Sequence, residues 1–262
     1  MIKFTKYSAT GNDFIMIDNR DGVVLTNERD LWQGLCKRGL SVGADGVIFV
    51  ENSEKYHFHM KYLNADGGEV AMCGNGSRAI SHFFAKLNDL GKCELEFSTL
   101  NSHYKSVVDH DFVWVEMNEY YDVDLINLDG QFDQIVRKAH YYSNTGVPHT
   151  CFLVDDVNAL DVVSLGRKVR LDPMFNEGVN VNFISKKGRD YLVRTYERGV
   201  ENETLSCGTG ITACARFLWG KNLEKIDEIK FISRGGDVTI KREQEKVFLG
   251  GEVKRIYEGQ LC

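Results

Sequence analysis

Proline is nearly absent, at two residues in 262, and no low-complexity linker interrupts the chain. Long apolar stretches are missing as well. The run that follows Met1-Ile2-Lys3-Phe4-Thr5-Lys6 is broken by Asp18 and Arg20, which argues against a signal peptide or a membrane span. There is no basic run, and a net charge of −6 disfavours nucleic acid and anionic membrane surfaces as partners, so a small molecule fits better. The seven cysteines show no CxxC spacing; an odd, scattered set fits neither a disulfide framework nor a zinc site, and a reducing, cytoplasmic setting is expected. Neither the Walker lysine nor the Rossmann glycine pattern is present, which leaves little support for a nucleotide. His57 and His59 would share one strand face but lack cysteine or carboxylate partners at ligand spacing, so no metal is expected.

What is present is a duplication. Cys73 opens C-G-N-G-S-R-A and Cys207 opens C-G-T-G-I-T-A, so C-G-x-G-x-x-A recurs after 134 residues. Tyr7-Ser8-Ala9-Thr10-Gly11 is echoed by Tyr142-Ser143-Asn144-Thr145-Gly146, each followed by a strand-like run ending in aspartate, Asp18 and Asp155. Gly46–Phe49 aligns with Asn180–Phe183, and the alternating stretch His57–Leu63 with Tyr191–Glu197. Phe83 matches Phe217, Phe97 matches Phe231, and Trp114 falls opposite Phe248.

The expected fold is α+β: two pseudo-symmetric domains from an internal duplication, each a mixed β-sheet curled, barrel-like, around a central α-helix. Residues 1–119 form the first domain and 120–251 the second. The halves meet near 119–130, where Asn127-Leu128-Asp129-Gly130 supplies turn chemistry. The final stretch, 252–262, finds no counterpart in its own half and is expected to cross back to the first domain.

Each thiol stands before a helix. Ala79, Ile80, Phe83, Phe84 and Leu87, and likewise Ala213, Cys214, Phe217 and Leu218, recur at three- and four-residue intervals, the pattern of a helix with one apolar face. Gly74, Gly76, Gly208 and Gly210 are read as residues that permit backbone conformations closed to others and let a ligand approach closely. Free N–H groups and the positive end of the dipole at each helix start favour a thiolate and a docked carboxylate. A pseudo-twofold arrangement would bring the helix starts together at the domain boundary with Cys73 and Cys207 facing each other. Two thiols flanking the α-carbon of such a ligand could remove a proton from one face and deliver one to the other, giving racemisation or epimerisation. Exclusion of water, by closure of the domains, is expected to accompany it. Asn64, Glu197 and Arg198 end the strands that lead to the two cysteines. Arg198 suits a second carboxylate, and Asn64 and Asn180 an amino or carboxylate group. Cys36, Cys93, Cys151, Cys214 and Cys262 are read as structural or incidental.

These residues resemble the diaminopimelate epimerases. The likeness runs nearly the whole length: T-G-N-D-F at Thr10–Phe14, N-A-D-G-G-E-V-A-M-C-G-N-G at Asn64–Gly76, Pro148-His149, G-V-N at Gly178–Asn180, Y-E-R-G from Tyr196, and S-C-G-T-G ending at Gly210. The resemblance implies a cofactor-independent, two-base enzyme that interconverts LL- and meso-diaminopimelate in lysine and cell-wall precursor synthesis. Cys73 and Cys207 would be the bases. Gly74-Asn75 and Gly208-Thr209 would bind the reacting carboxylate, and Asn12, Asn64, Asn180, Glu197 and Arg198 the rest of the substrate. His149 and Glu197 would tune or orient the site. Assembly as a homodimer is also implied.

The chain departs from the family pattern at Val147, where asparagine is frequent before Pro-His, and at Gly46, where glutamine is frequent. Both changes remove side-chain hydrogen bonds. The loop from Glu197 to Cys207 is one residue longer than the commonest form. Two alternatives stay open: a proline or hydroxyproline racemase-like enzyme, and a binding protein that keeps the cleft without catalysis.

Overall fold

The computed structural model describes residues 1–117 and 139–261; the junction expected at 119–130, its turn Asn127–Gly130, and Cys262 lie outside the described residues. Contacts divide the chain into two compact units, Met1–Met117 with Gly250–Cys262, and Asn118–Leu249.

The first unit runs β1 (Ile2–Ala9), β2 (Asn12–Asp18), α1 (Arg29–Cys36), β3 (Gly46–Glu51), β4 (Phe58–Asn64) and β5 (Glu69–Val70). It continues through α2 (Gly74–Leu87), β6 (Cys93–Ser98), β7 (His103–Asp109) and β8 (Phe112–Met117). The second unit contains β9 (Ala139–Asn144), β10 (Pro148–Leu153), α3 (Val162–Arg170), β11 (Asn180–Lys187), β12 (Asp190–Glu197) and β13 (Asn202–Thr204). Then come α4 (Gly208–Gly220), β14 (Glu228–Ser233), β15 (Gly236–Glu243) and β16 (Lys246–Glu252), the division between units falling inside β16. The last strand, β17 (Lys254–Leu261), pairs antiparallel with β1.

The two units share a topology. In the first, β1 and β2 are antiparallel, β2 and β3 parallel across α1, and β3 and β4 antiparallel; β4 then takes β6 in parallel after α2 has intervened. In the second, β9–β10, β10–β11, β11–β12 and β12–β14 repeat that sequence of orientations, with α3 and α4 in place of α1 and α2. Strands from both ends of the first unit's sheet, β1 and β2 on one side and β7 and β8 on the other, pack on α2. A mixed sheet curled around a helix, the α+β arrangement expected, is therefore what the first unit shows. In the second, α4 lies against β9, β10, β11 and β15.

Alternation explains the middle strands. Phe14, Met16, Ile48 and Val50 join a cluster with Ala79, Ile80 and Phe83 of α2, whereas Ile15, Ile17, Val47 and Phe49 join Trp32 and Leu35 of α1. With both faces covered, the middles of β2 and β3, Phe14–Ile17 and Val47–Val50, can be apolar without alternation, and each such side chain stabilises by roughly 1.5–3 kcal/mol. The second unit covers one face in the same way: Phe152, Val181 and Phe183 pack with Val162 and Val169 of α3.

One expectation changes. The spacing suggested central helices with a single apolar face, yet Gly74–Ala85 is buried without a break. A helix enclosed on all sides forces its polar residues to find partners inside. Ser81 therefore donates to the Ser77 carbonyl at 2.8 Å and accepts from Ser106 at 2.8 Å, and His82 Nδ1 lies 3.1 Å from the Tyr7 hydroxyl. Among the described residues no helix is long and apolar enough to cross a membrane.

Candidate active site

In the first unit, the starts of β2 and β3 and the end of β4 lie at one end of the sheet, because Phe14 is level with Gly46 and Gly46 with Asn64. Asn12 and Asn64 therefore share that end. Cys73 is the N-cap of α2, extended at φ −141° and ψ 117°, and its Sγ accepts from the Gly76 N–H at 3.4 Å. Gly74 and Asn75 form the first helical residues.

Asn75 is buried and joins Asn12 to the helix. Its Nδ2 donates to Asn12 Oδ1 at 2.6 Å, while its Oδ1 accepts from Arg78 Nη2 at 2.6 Å and from the Thr10 hydroxyl at 3.2 Å. Asn12 in turn donates to Asp45 Oδ2 at 2.9 Å. Thr10 (φ 46°) and Gly11 (φ 91°) both occupy the left-handed region, which turns the chain sharply into Asn12. Below them, Arg38 bridges Asp13 and Asp45, and Lys6 pairs with Asp13 at 2.8 Å. Burial alone would raise the Asp13 carboxyl, but hydrogen bonds from Arg38 and Lys6 outweigh it and hold the group below the usual range.

Asn64 is exposed at its strand end and engages none of Cys73, Asn75 or Asn12; its Oδ1 accepts from the Tyr62 hydroxyl at 3.0 Å. Tyr62 also explains Gly46. A Cβ at position 46 would stand 2.5 Å from Tyr62 Cε2 and 2.5 Å from the Leu63 carbonyl. The ring fills the space that a longer residue at 46 would need, and its hydroxyl lies where such a side chain would run.

In the second unit, His149, Asn180 and Glu197 stand at the corresponding sheet end, with His149 level with Asn180 and Val181 with Tyr196. Cys207 is the N-cap of α4, at φ −125° and ψ 105°, and is buried. Its Sγ lies 3.5 Å from the Thr209 hydroxyl, which lies 3.0 Å from His149 Nε2. Asn182 Nδ2 donates to the Thr150 carbonyl at 3.1 Å and faces His149 Nδ1 at 3.1 Å; its Oδ1 accepts from Thr195 at 2.9 Å. Because a carbonyl can only accept, the amide is oriented and His149 Nδ1 must be an acceptor. The imidazole proton is thereby placed on Nε2, donating to Thr209. Burial, reinforced by Arg198, pushes the His149 pKa down to about 3, so the ring is a neutral donor.

Asn180 donates to the Pro148 carbonyl at 3.0 Å and accepts from the Arg198 backbone N–H at 2.8 Å, fixing the turn that carries Arg198. The Arg198 guanidinium donates to the Glu177 carbonyl at 3.0 Å. Glu197 is half-buried at the end of β12. Beyond it the longer loop is tied by Glu201, which accepts from the Gly199 N–H at 3.1 Å and the Tyr196 hydroxyl at 3.2 Å.

The conformational half of the glycine reading needs correction. Gly74, Gly76, Gly208 and Gly210 are ordinary helical residues, absent from the positive-φ set. Close packing is the reason for two of them: a Cβ at Gly210 would lie 2.2 Å from Asn182 Oδ1, and one at Gly76 2.9 Å from Ile48 Cδ1.

Tyr62, Arg78, Asn182 and Thr195 were missed in the sequence. The signal for Asn182 was available, since it lies two residues after Asn180 and interrupts an apolar strand; nothing in the sequence pairs Tyr62 with Gly46. Among the described residues no group of three or more His, Cys, Asp or Glu side chains could hold a metal ion.

Known proteins share both sequence and fold with this chain. The diaminopimelate epimerase family profile matches residues 4–123 and 141–256. A diaminopimelate epimerase of Hydrogenobaculum sp. (strain Y04AAS1) is 38% identical over 272 aligned positions, covering 98% of this chain and 97% of that protein. One from Archaeoglobus fulgidus is 37% identical, covering 99% and 96%. The fold is shared more widely: a Bacillus anthracis phenazine biosynthesis protein of the PhzF family superposes with a TM-score of 0.74 over 100% of this chain and 99% of that one, at 14% identity. With the profile covering both thiol turns and relatives aligned from end to end, the chain belongs to the diaminopimelate epimerase family.

Proposed function

We propose that this chain interconverts LL- and meso-diaminopimelate by taking a proton from one face of the α-carbon and returning one to the other, with Cys73 and Cys207 as the two bases and no cofactor. The supporting observation is that a near full-length family match falls on a chain with a thiol at the N-cap of the central helix in each unit. The N–H groups of Gly74, Asn75, Gly208 and Thr209 hold the reacting carboxylate and stabilise the charge that develops as the α-proton leaves. Asn12, Asn64, Asn180, Glu197 and Arg198 bind the rest, with Arg198 on the distant carboxylate. His149, as a neutral donor through Thr209, and Glu197 orient the second thiol. The enzyme works as a homodimer in the cytoplasm.

The test is α-proton exchange of LL-diaminopimelate in deuterium oxide, with wild type, Cys73→Ser and Cys207→Ser compared. Inversion with α-deuteration in wild type, reduced by orders of magnitude in both variants, is expected. Undiminished inversion in either variant, or turnover of proline with none of LL-diaminopimelate, would overturn the assignment. Sedimentation would check the dimer.

A further inference from the structure

Arg78 is one of the largest fully buried side chains in the protein. Its Nη2 donates to Asn75 Oδ1 at 2.6 Å and to the Thr10 hydroxyl at 2.8 Å, and its Nη1 to the Glu252 carbonyl at 3.3 Å. Nε has no acceptor. Among the described residues no carboxylate forms a salt bridge with it, although a buried cation is ordinarily paired with one.

Burial pushes the guanidinium pKa down to about 10, which still leaves it protonated at neutral pH, and the charge that opposes this shift is the Cys73 thiolate. The geometry agrees: Cys73 is the N-cap of α2, and the Arg78 guanidinium reaches back along the helix to Asn75, two residues after the thiol, so the cation sits at the helix end that carries Cys73. Nothing comparable stands at the matching position of the second unit, where Thr212 donates back to the Gly208 carbonyl at 2.9 Å.

We propose that Arg78 is a positioning residue whose buried cation locks Asn75 and Thr10 into one arrangement and favours the thiolate over the thiol at Cys73. The inference rests on the reading of Cys73 as a base, but its test does not depend on turnover.

Alkylation of Cys73 by iodoacetamide, followed by peptide mass spectrometry across pH, reports the thiolate directly. In Arg78→Met the pH of half-maximal alkylation should rise by about one unit or more. Arg78→Lys, which keeps the charge, should restore most of it, and the Cys207 profile should not move. A folded Arg78→Met protein with the wild-type Cys73 profile would overturn the proposal, since a merely structural Arg78 would lower the melting temperature and leave the thiol unchanged.

If Arg78→Met does not fold, wild type against Cys73→Ser reads whether the folded state favours the thiolate at all, which the proposal requires. A thiolate favoured in the folded state stabilises fully above the ordinary thiol pKa of about 8.5, and that stabilisation is lost as pH falls. The melting-temperature advantage of wild type should therefore grow from about pH 6.5 to about pH 9. A difference that stays flat would also overturn the proposal. Should the alkylation profiles move while wild type fails to exchange the α-proton, the coupling stands and the assigned reaction falls.

Discussion

The two thiol turns share one backbone plan and are backed by different polar groups. Behind Cys73 lie a buried guanidinium, two asparagines and, further down, a network of Lys6, Arg38, Asp13 and Asp45. Behind Cys207 lie a threonine, a neutral histidine and an oriented amide. The sheet beneath has diverged in step: Phe14 and Ile48 face α2 where His149 and Asn182 occupy the corresponding strand positions under α4. A duplicated scaffold can thus keep a thiol at a helix start while its surroundings specialise, one toward charge and one toward a neutral hydrogen-bond chain.

The sharpest way to break that comparison is to add one methyl group to each turn. Gly210→Ala forces a Cβ into Asn182 Oδ1, a fixed and hydrogen-bonded atom, and should cost about 1–3 kcal/mol of stability together with most of the activity. Gly76→Ala meets only the far end of Ile48, which can rotate, and should cost clearly less. Thermal unfolding of the two variants decides it, and equal losses would mean that the Asn182 network is not the rigid partner described.

An intermediate effect is expected from acid. His149 is held neutral, with its folded pKa depressed to about 3 against about 6.5 unfolded. The unfolded chain therefore binds more protons between those values. The full stability is present above about pH 6.5 and falls away below it, by at most about 1.4 kcal/mol per pH unit. His149→Gln should flatten that acid dependence relative to wild type, as followed by denaturant titration at several pH values. An unchanged slope would show that His149 charges freely in the folded state.

The smallest effect concerns Tyr62. Tyr62→Phe removes the hydroxyl bonded to Asn64 while keeping the ring against Gly46, so KM should rise several-fold, in line with about 1 kcal/mol, with kcat little altered. A pure kcat effect would place the hydroxyl closer to the chemistry than Asn64 is.

Much of the fold was legible because the chain repeats itself. The doubled C-G-x-G-x-x-A marks both helix starts, and the apolar spacing after Ala79 and Ala213 marks their continuation. The unbroken apolar runs Phe14–Ile17 of β2 and Val47–Val50 of β3 are decipherable only once α1 is seen to cover their second face. What stayed hidden is long-range pairing. Arg78 meets Thr10 across 68 positions, and Tyr62 meets Gly46 through strand register, neither of which leaves a local periodic trace. Gly76 and Gly210 are set by a neighbouring side chain and not by backbone freedom, since a residue type reports that something is close without saying what it is. Asn64 shows the reverse limit: its place in the motif was plain, but only its partner Tyr62 gives it a fixed orientation.

Finally, Cys73 anchors the first turn of its helix through its own sulfur, whereas the Cys207 side chain makes no such cap bond. A reagent or substitution that removes the first sulfur therefore takes away a helix-terminating acceptor as well as a proton carrier. Serine at 73 preserves an N-cap, while alanine forfeits it at about 1 kcal/mol, so the two replacements are not interchangeable controls there. At 207 the sulfur lies against the Thr209 hydroxyl instead of capping the helix, so there serine keeps a hydroxyl for Thr209 that alanine removes.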